Sequence, residues 1–122
     1  MARILIVDDE ESERLLMQAI LARAGHETFF AEDGAGALKQ LEAHGVDIVI
    51  TDLHMPDGHG FELITVLREF EKPPGLIAVS ATGPFQLHMA EALGAKHTLQ
   101  KPLDPKLLLG AVNQVLTEIA DR

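Results

Sequence analysis

Hydrophobic positions along the chain follow two patterns that take turns. Short unbroken apolar runs, Ile4-Leu5-Ile6-Val7, Ile48-Val49-Ile50 and Leu76-Ile77-Ala78-Val79, are separated by longer stretches in which apolar residues recur every three to four positions. An unbroken run predicts a strand covered on both faces, and the wider spacing predicts a helix with one buried stripe. Two further segments, Glu27-Thr28-Phe29-Phe30-Ala31 and His97-Thr98-Leu99-Gln100, are short and mixed in polarity, as edge strands are.

The first helical stretch carries Leu15, Leu16, Ala19, Ile20 and Arg23 at the right spacing for one face, and the second carries Ala37, Leu38 and Leu41. A third, over about Phe61 to Phe70, has Phe61, Ile64 and Leu67 on one stripe. The fourth has Leu87, Ala90 and Leu93, and the last has Leu108, Val112, Val115 and Ile119. Punctuation agrees with these spans. Gly25, Gly45 and Gly94 follow the first, second and fourth helices, and Lys72-Pro73-Pro74-Gly75 stops the third. Asp33-Gly34 opens the second, and Asp104 followed by Pro105 is a favoured opening for the last.

Five strands alternating strictly with five helices predict an α/β protein with a doubly wound parallel sheet and right-handed crossovers. The apolar strands one, three and four belong in the middle and the mixed strands two and five at the edges. That arrangement leads to the order 2-1-3-4-5, the flavodoxin-like (βα)5 fold, in which strands one and three flank the switch point where such sheets bind ligands. The alternation runs from residue 1 to residue 122 with no linker, repeat or composition shift, which predicts a single domain.

Composition narrows the function. At 122 residues the chain can bury about two-thirds of its unfolded surface without disulfides, and it has no cysteine to form one. Absence of Cys also excludes thiolate chemistry and fits a reducing compartment. No apolar run approaches the roughly 20 residues that span a bilayer, so the expectation is a cytoplasmic protein with no membrane association. Ten basic against nineteen acidic residues leave a formal charge of −9, which disfavours nucleic acid and points to a cation or a basic protein face.

Candidate chemistry lies at the ends of the predicted strands. Asp8 and Asp9 leave strand one, Asp52 leaves strand three, Ser80 leaves strand four and Lys101 leaves strand five. Alone, Asp52 would be read as a helix cap, Ser80 as an ordinary strand-end hydroxyl and Lys101 as a solvated lysine. Together they converge on one crevice. Three carboxylates there repel by roughly 3 kcal/mol per pair at about 5 Å and an effective dielectric near 20, and one lysine cannot neutralise them. A hard divalent ion with oxygen ligands is implied, and Mg²⁺ suits such a site. The set is then a device for phosphoryl transfer. Asp52 is the covalent nucleophile, and Ser80 and Lys101 face the charge that builds on the phosphoryl oxygens.

Val7-Asp8-Asp9-Glu10, Thr51-Asp52-Leu53-His54-Met55-Pro56 with Gly60, Ser80-Ala81-Thr82 and Lys101-Pro102, in this order and spacing, resemble the receiver domain of two-component response regulators. The resemblance covers the whole chain. It implies that Asp52 is the phosphoacceptor, served by a histidine kinase or histidine phosphotransfer protein. It also implies that Asp8 and Asp9 hold Mg²⁺ with the backbone carbonyl of His54 as a further ligand. Ser80 becomes a switch hydroxyl, Lys101 pairs with Asp52 and then with the phosphoryl group, and the Lys101–Pro102 bond is cis. Self-phosphorylation and self-dephosphorylation are the only chemistry implied; the output is a change in binding to a downstream protein. Receivers usually carry an aromatic residue three positions before the lysine, and here that residue is Thr98. A small hydroxyl cannot rotate inward and outward as a ring does, so coupling from Ser80 to the face of helix four, strand five and helix five departs from the family. With the chain ending at Arg122, the pattern resembles a single-domain receiver that acts by protein contact, and equally a receiver cut from a longer regulator.

Other readings fit less well. A phosphatase with an Asp nucleophile wants a second acid two residues on, where this chain has His54, and a flavin-binding module wants a Ser/Thr/Gly-rich loop where it has Asp8-Asp9-Glu10-Glu11. An interaction domain that has lost phosphorylation usually lacks an acid or the lysine, and none is missing. His54 and His59 flank the acidic loop without the further ligands that zinc requires, so solvated loop side chains are the expectation. His54 is also placed to tune water access to an acyl phosphate.

Overall fold

A computed structural model describes residues 1–54, 60–81 and 83–122. The expected loop over Met55-Pro56 and Gly58, the zinc reading of His59, and Thr82 lie outside the described residues. Each apolar run is a strand: β1 is Arg3–Val7, β3 is Ile48–Asp52 and β4 is Gly75–Ser80, with β2 at Glu27–Ala31 and β5 at His97–Gln100. The helices are α1 Glu11–Arg23, α2 Gly34–Ala43, α3 Gly60–Arg68, α4 Pro84–Leu93 and α5 Pro105–Ala120. All pairings are parallel and the order is β2-β1-β3-β4-β5, as the polarity of the strands predicts.

Alternation of side chains along a strand sends them to opposite faces of the sheet. Ile4, Ile6, Ile48, Ile50, Ile77 and Val79 meet Met17 and Leu21 of α1 and Leu108, Val112 and Val115 of α5 on one face. Leu5, Val7 and Val49 meet Ala37, Leu63 and Leu67 on the other, where Ala78 joins a cluster with Ile64, Leu87 and Ala90. This is why the apolar runs at the centres of β1, β3 and β4 leave no polar residue on either face. Gly75 lets α5 come close: a Cβ there would strike Val115 and lie 3.2 Å from Ile119. Among the described residues no helix is long and apolar enough to cross a membrane.

Helix openings follow the sequence signals. Asp33 accepts from the Gly36 amide at 2.7 Å, and Asp104 accepts from the Lys106 amide at 2.8 Å, each satisfying one of the free amides of a first turn. α3 ends at Arg68 rather than Phe70, two residues earlier than the periodicity suggests. The face of α1 is different from the one expected. Met17 and Leu21 are fully buried and Ile20 packs beside them, whereas Leu15 and Leu16 are 52% and 47% exposed. Apolar residues fill most of the segment from Leu15 to Ala22, so spacing alone admits more than one stripe. Contact with the sheet and α5 selects the one that includes Met17.

Candidate functional site

Parallel strands that end together deliver their last residues to one rim of the sheet. Val7 pairs with Thr51 in register, so Asp8 follows β1 beside the end of β3, where Asp52 sits opposite Val79 of β4. Asp8, Asp9 and Asp52 each present a carboxylate oxygen, and these oxygens all lie within 4.8 Å of one another. Asp8 is fully buried and Asp52 is 5% exposed, while Asp9 faces solvent. Lys101 enters from the end of β5, its Nζ 2.8 Å from Asp8 Oδ2 and 3.5 Å from Asp52 Oδ2.

Ser80 ends β4 next to this group. It is buried, and its carbonyl oxygen accepts from the Lys101 amide at 2.9 Å, which ties the ends of β4 and β5 together. His54 is exposed, and its backbone N–H donates to Asp52 Oδ1 at 3.1 Å. The Lys101–Pro102 peptide bond is cis. Gly60 is required by close approach: a Cβ there would strike the Asp52 carbonyl oxygen and lie 2.8 Å from Leu53 Cα. α3 thus begins against the backbone that carries Asp52.

Two neighbours were not anticipated. Arg14 Nη1 donates to the Asp8 carbonyl oxygen at 2.8 Å and Nη2 lies 3.7 Å from Glu32, so this arginine braces the turn out of β1. Glu13 adds negative charge near Lys101. The available signal was a lone basic residue, one helical turn into an acid-rich run, which could equally have been solvated.

Electrostatics follow from burial. Burial pushes the Asp52 carboxyl above its ordinary range; the His54 N–H and Lys101 oppose this, and the Asp8 charge adds to it. For Lys101, burial pulls the ammonium down, but the bond to Asp8 and the charges of Asp52, Asp8 and Glu13 outweigh it and the net shift is upward. Three carboxylates against one ammonium leave negative charge uncompensated, and the donor set is all oxygen. The cluster can hold a metal ion.

The 2-1-3-4-5 sheet thus gathers three acids and a lysine at one rim of its strand ends. The chain belongs to the response regulator receiver domain family, whose sequence profile matches residues 4–113. It is 33% identical over 117 residues to the chemotaxis protein CheY of Bacillus subtilis, covering 93% of this chain and 97% of that one. It is also 32% identical over 114 residues to the autoinducer sensor kinase/phosphatase CqsS of Vibrio cholerae, covering 90% of this chain but only 17% of that protein. The solved structure of the chemotaxis response regulator CheY4 of Vibrio cholerae superposes with a TM-score of 0.85 at 33% identity, over 94% of this chain and 98% of that one.

Proposed function

We propose that Asp52 is the residue that receives the phosphoryl group, that residues 1–122 work as one receiver unit in the cytoplasm, and that the donor is a phosphohistidine on a histidine kinase or phosphotransfer protein. The observation that carries this reading is the pairing of one buried lysine with two buried carboxylates, with a third acid open to solvent beside them. An Asp52 carboxylate oxygen forms a bond to phosphorus as the donor's N–P bond breaks, and the imidazole leaves and takes up a proton. Hydrolysis later breaks the bond from the Asp52 oxygen to phosphorus and returns the carboxylate. Lys101 neutralises the phosphoryl oxygens and Ser80 donates a hydrogen bond to them.

Asp8, Asp9, Asp52 and the backbone carbonyl of His54 would hold Mg²⁺, which suits a hard, all-oxygen donor set. When bound it offsets the charge of the acids and of the incoming phosphoryl group. Phosphorylation then biases the surface formed by α4, β5 and α5 toward a downstream protein. A near-complete switch requires a bias of about 5.5 kcal/mol. In this chain Thr98, half-buried on β5 opposite Ala78, stands in the path of that bias.

The test is intact mass after incubation with Mg²⁺ and a small acyl-phosphate donor. A single phosphoryl adduct that disappears in Asp52→Asn and in the presence of a chelator supports the assignment. An adduct that persists in Asp52→Asn removes it, and so does steady turnover of phosphomonoesters.

A further inference from the structure

At the opposite end of the sheet from the acids, the first residues of β4 and β5 open into a groove of about 370 Å³. Pockets that hold small molecules begin at about this size, and most are apolar with a few placed polar groups. The floor here is made by Leu67 of α3, Leu76 of β4, and Val115 and Ile119 of α5. Its rim is cationic. Arg68, Lys96 and Arg122 line it, three of the ten basic residues in a chain of charge −9.

The rim is also built rather than loose. The Arg68 side chain lies across Gly94, its Cδ 3.2 Å from where a Cβ would stand, and Gly94 holds a φ of +121° that other residues rarely adopt. Arg122 reaches from the other side, its Nη1 donating to the Pro73 carbonyl oxygen at 2.8 Å. Glu118 is the single acidic residue in the lining, and its carboxylate already pairs with His97 Nε2 at 3.1 Å. Among the described residues neither Arg68 nor Lys96 has an ion-pair partner. Positive charge over an apolar floor, on an otherwise acidic molecule, selects for an anion with an apolar body.

We propose that this groove binds a small organic monoanion of that kind, of which a medium-chain carboxylate is the simplest example. The site is separate from the phosphoacceptor cluster, roughly 13 Å away along β5, and does not rest on that reading.

The probes are octanoate and octylammonium, which share an apolar body and differ in charge, titrated into the full chain and followed by amide chemical shifts. Octanoate should move the amides of Gly75, Leu76, Gly94, Lys96 and His97 saturably, and octylammonium should not. Arg68→Glu with Lys96→Glu should weaken octanoate at least tenfold while the amide spectrum stays dispersed. Should that pair not fold, the milder Arg68→Gln with Lys96→Gln decides, with a several-fold loss expected. Equal response to both probes overturns the proposal, as does no saturable response to octanoate. So do shifts centred on exposed Phe85 and Met89, or an affinity untouched by the charge changes.

Discussion

Replacing Asp52 with asparagine should make the metal-free, unphosphorylated protein more stable. In the wild type the Asp52 carboxylate lies within 4.8 Å of carboxylate oxygens of Asp8 and Asp9, and each such pair is worth about 3.5 kcal/mol of repulsion at an effective dielectric near 20. Asp9 is exposed, so solvent screens its share to a fraction of that. The ammonium of Lys101, 3.5 Å away, returns about 4.7 kcal/mol on the same scale, which roughly cancels what remains. Desolvation of a carboxylate that is 5% exposed is then left over, several kcal/mol before the His54 N–H offsets part of it. Asparagine keeps an oxygen for that N–H and leaves Lys101 on Asp8, so the net gain is about 1–3 kcal/mol.

The pH dependence has a definite sign. A carboxyl raised above its ordinary 3.8 contributes stability that is present below that value and is lost as pH rises through its folded value. The advantage of Asp52→Asn should therefore be small near pH 4 and grow as pH increases. Urea unfolding followed by circular dichroism, in chelator, should put the variant's midpoint higher by about 1 M, given a slope of about 1–3 kcal/mol per M. Excess Mg²⁺ should close the gap by stabilising the wild type more than the variant. A variant that unfolds at the same or a lower urea concentration than the wild type in chelator would refute the reasoning that repulsion and burial strain this cluster.

Lys101→Ala strands the fully buried Asp8 carboxylate without a counter-charge, and should destabilise the metal-free protein by about 3 kcal/mol in the same assay. Gly60→Ala forces a methyl group onto the Asp52 carbonyl; a loss of about 1–3 kcal/mol is expected, together with slower phosphoryl uptake from a small donor measured by intact mass. His26 lies lower than its ordinary 6.5, first because it is partly buried and then because of the positive N-terminus; its Nδ1 accepts from the Ala2 amide at 3.0 Å. The unfolded chain takes up that proton before the folded one, so stability falls as pH drops below about 6.5. His26→Gln should flatten this part of the stability profile below about pH 6.5, and an unchanged slope would remove His26 as its source.

Much of the fold was legible because its decisive signals are local and repeated. Unbroken apolar runs at Ile4, Ile48 and Leu76 require cover on both faces, which puts their strands in the middle of the sheet and the mixed strands at its edges. The site was legible for a related reason: parallel strands end on one rim, so the residue after each run must arrive near the others. Asp8, Asp52 and Lys101 meet as that argument requires. Where the chain offers several equivalent choices, the sequence is silent. Apolar residues fill most of α1 from Leu15 to Ala22, and only packing against the sheet and α5 decides that Met17 and Leu21 go inside. Arg14 acquires its role by reaching the Asp8 carbonyl, a contact across a turn that no periodicity announces. The cationic groove, likewise, gathers Arg68, Lys96 and Arg122 from three separate parts of the chain. Patterns along a chain encode which faces must be buried. Which side chains then become neighbours depends on how those faces are stacked, and that is a property of the assembled fold.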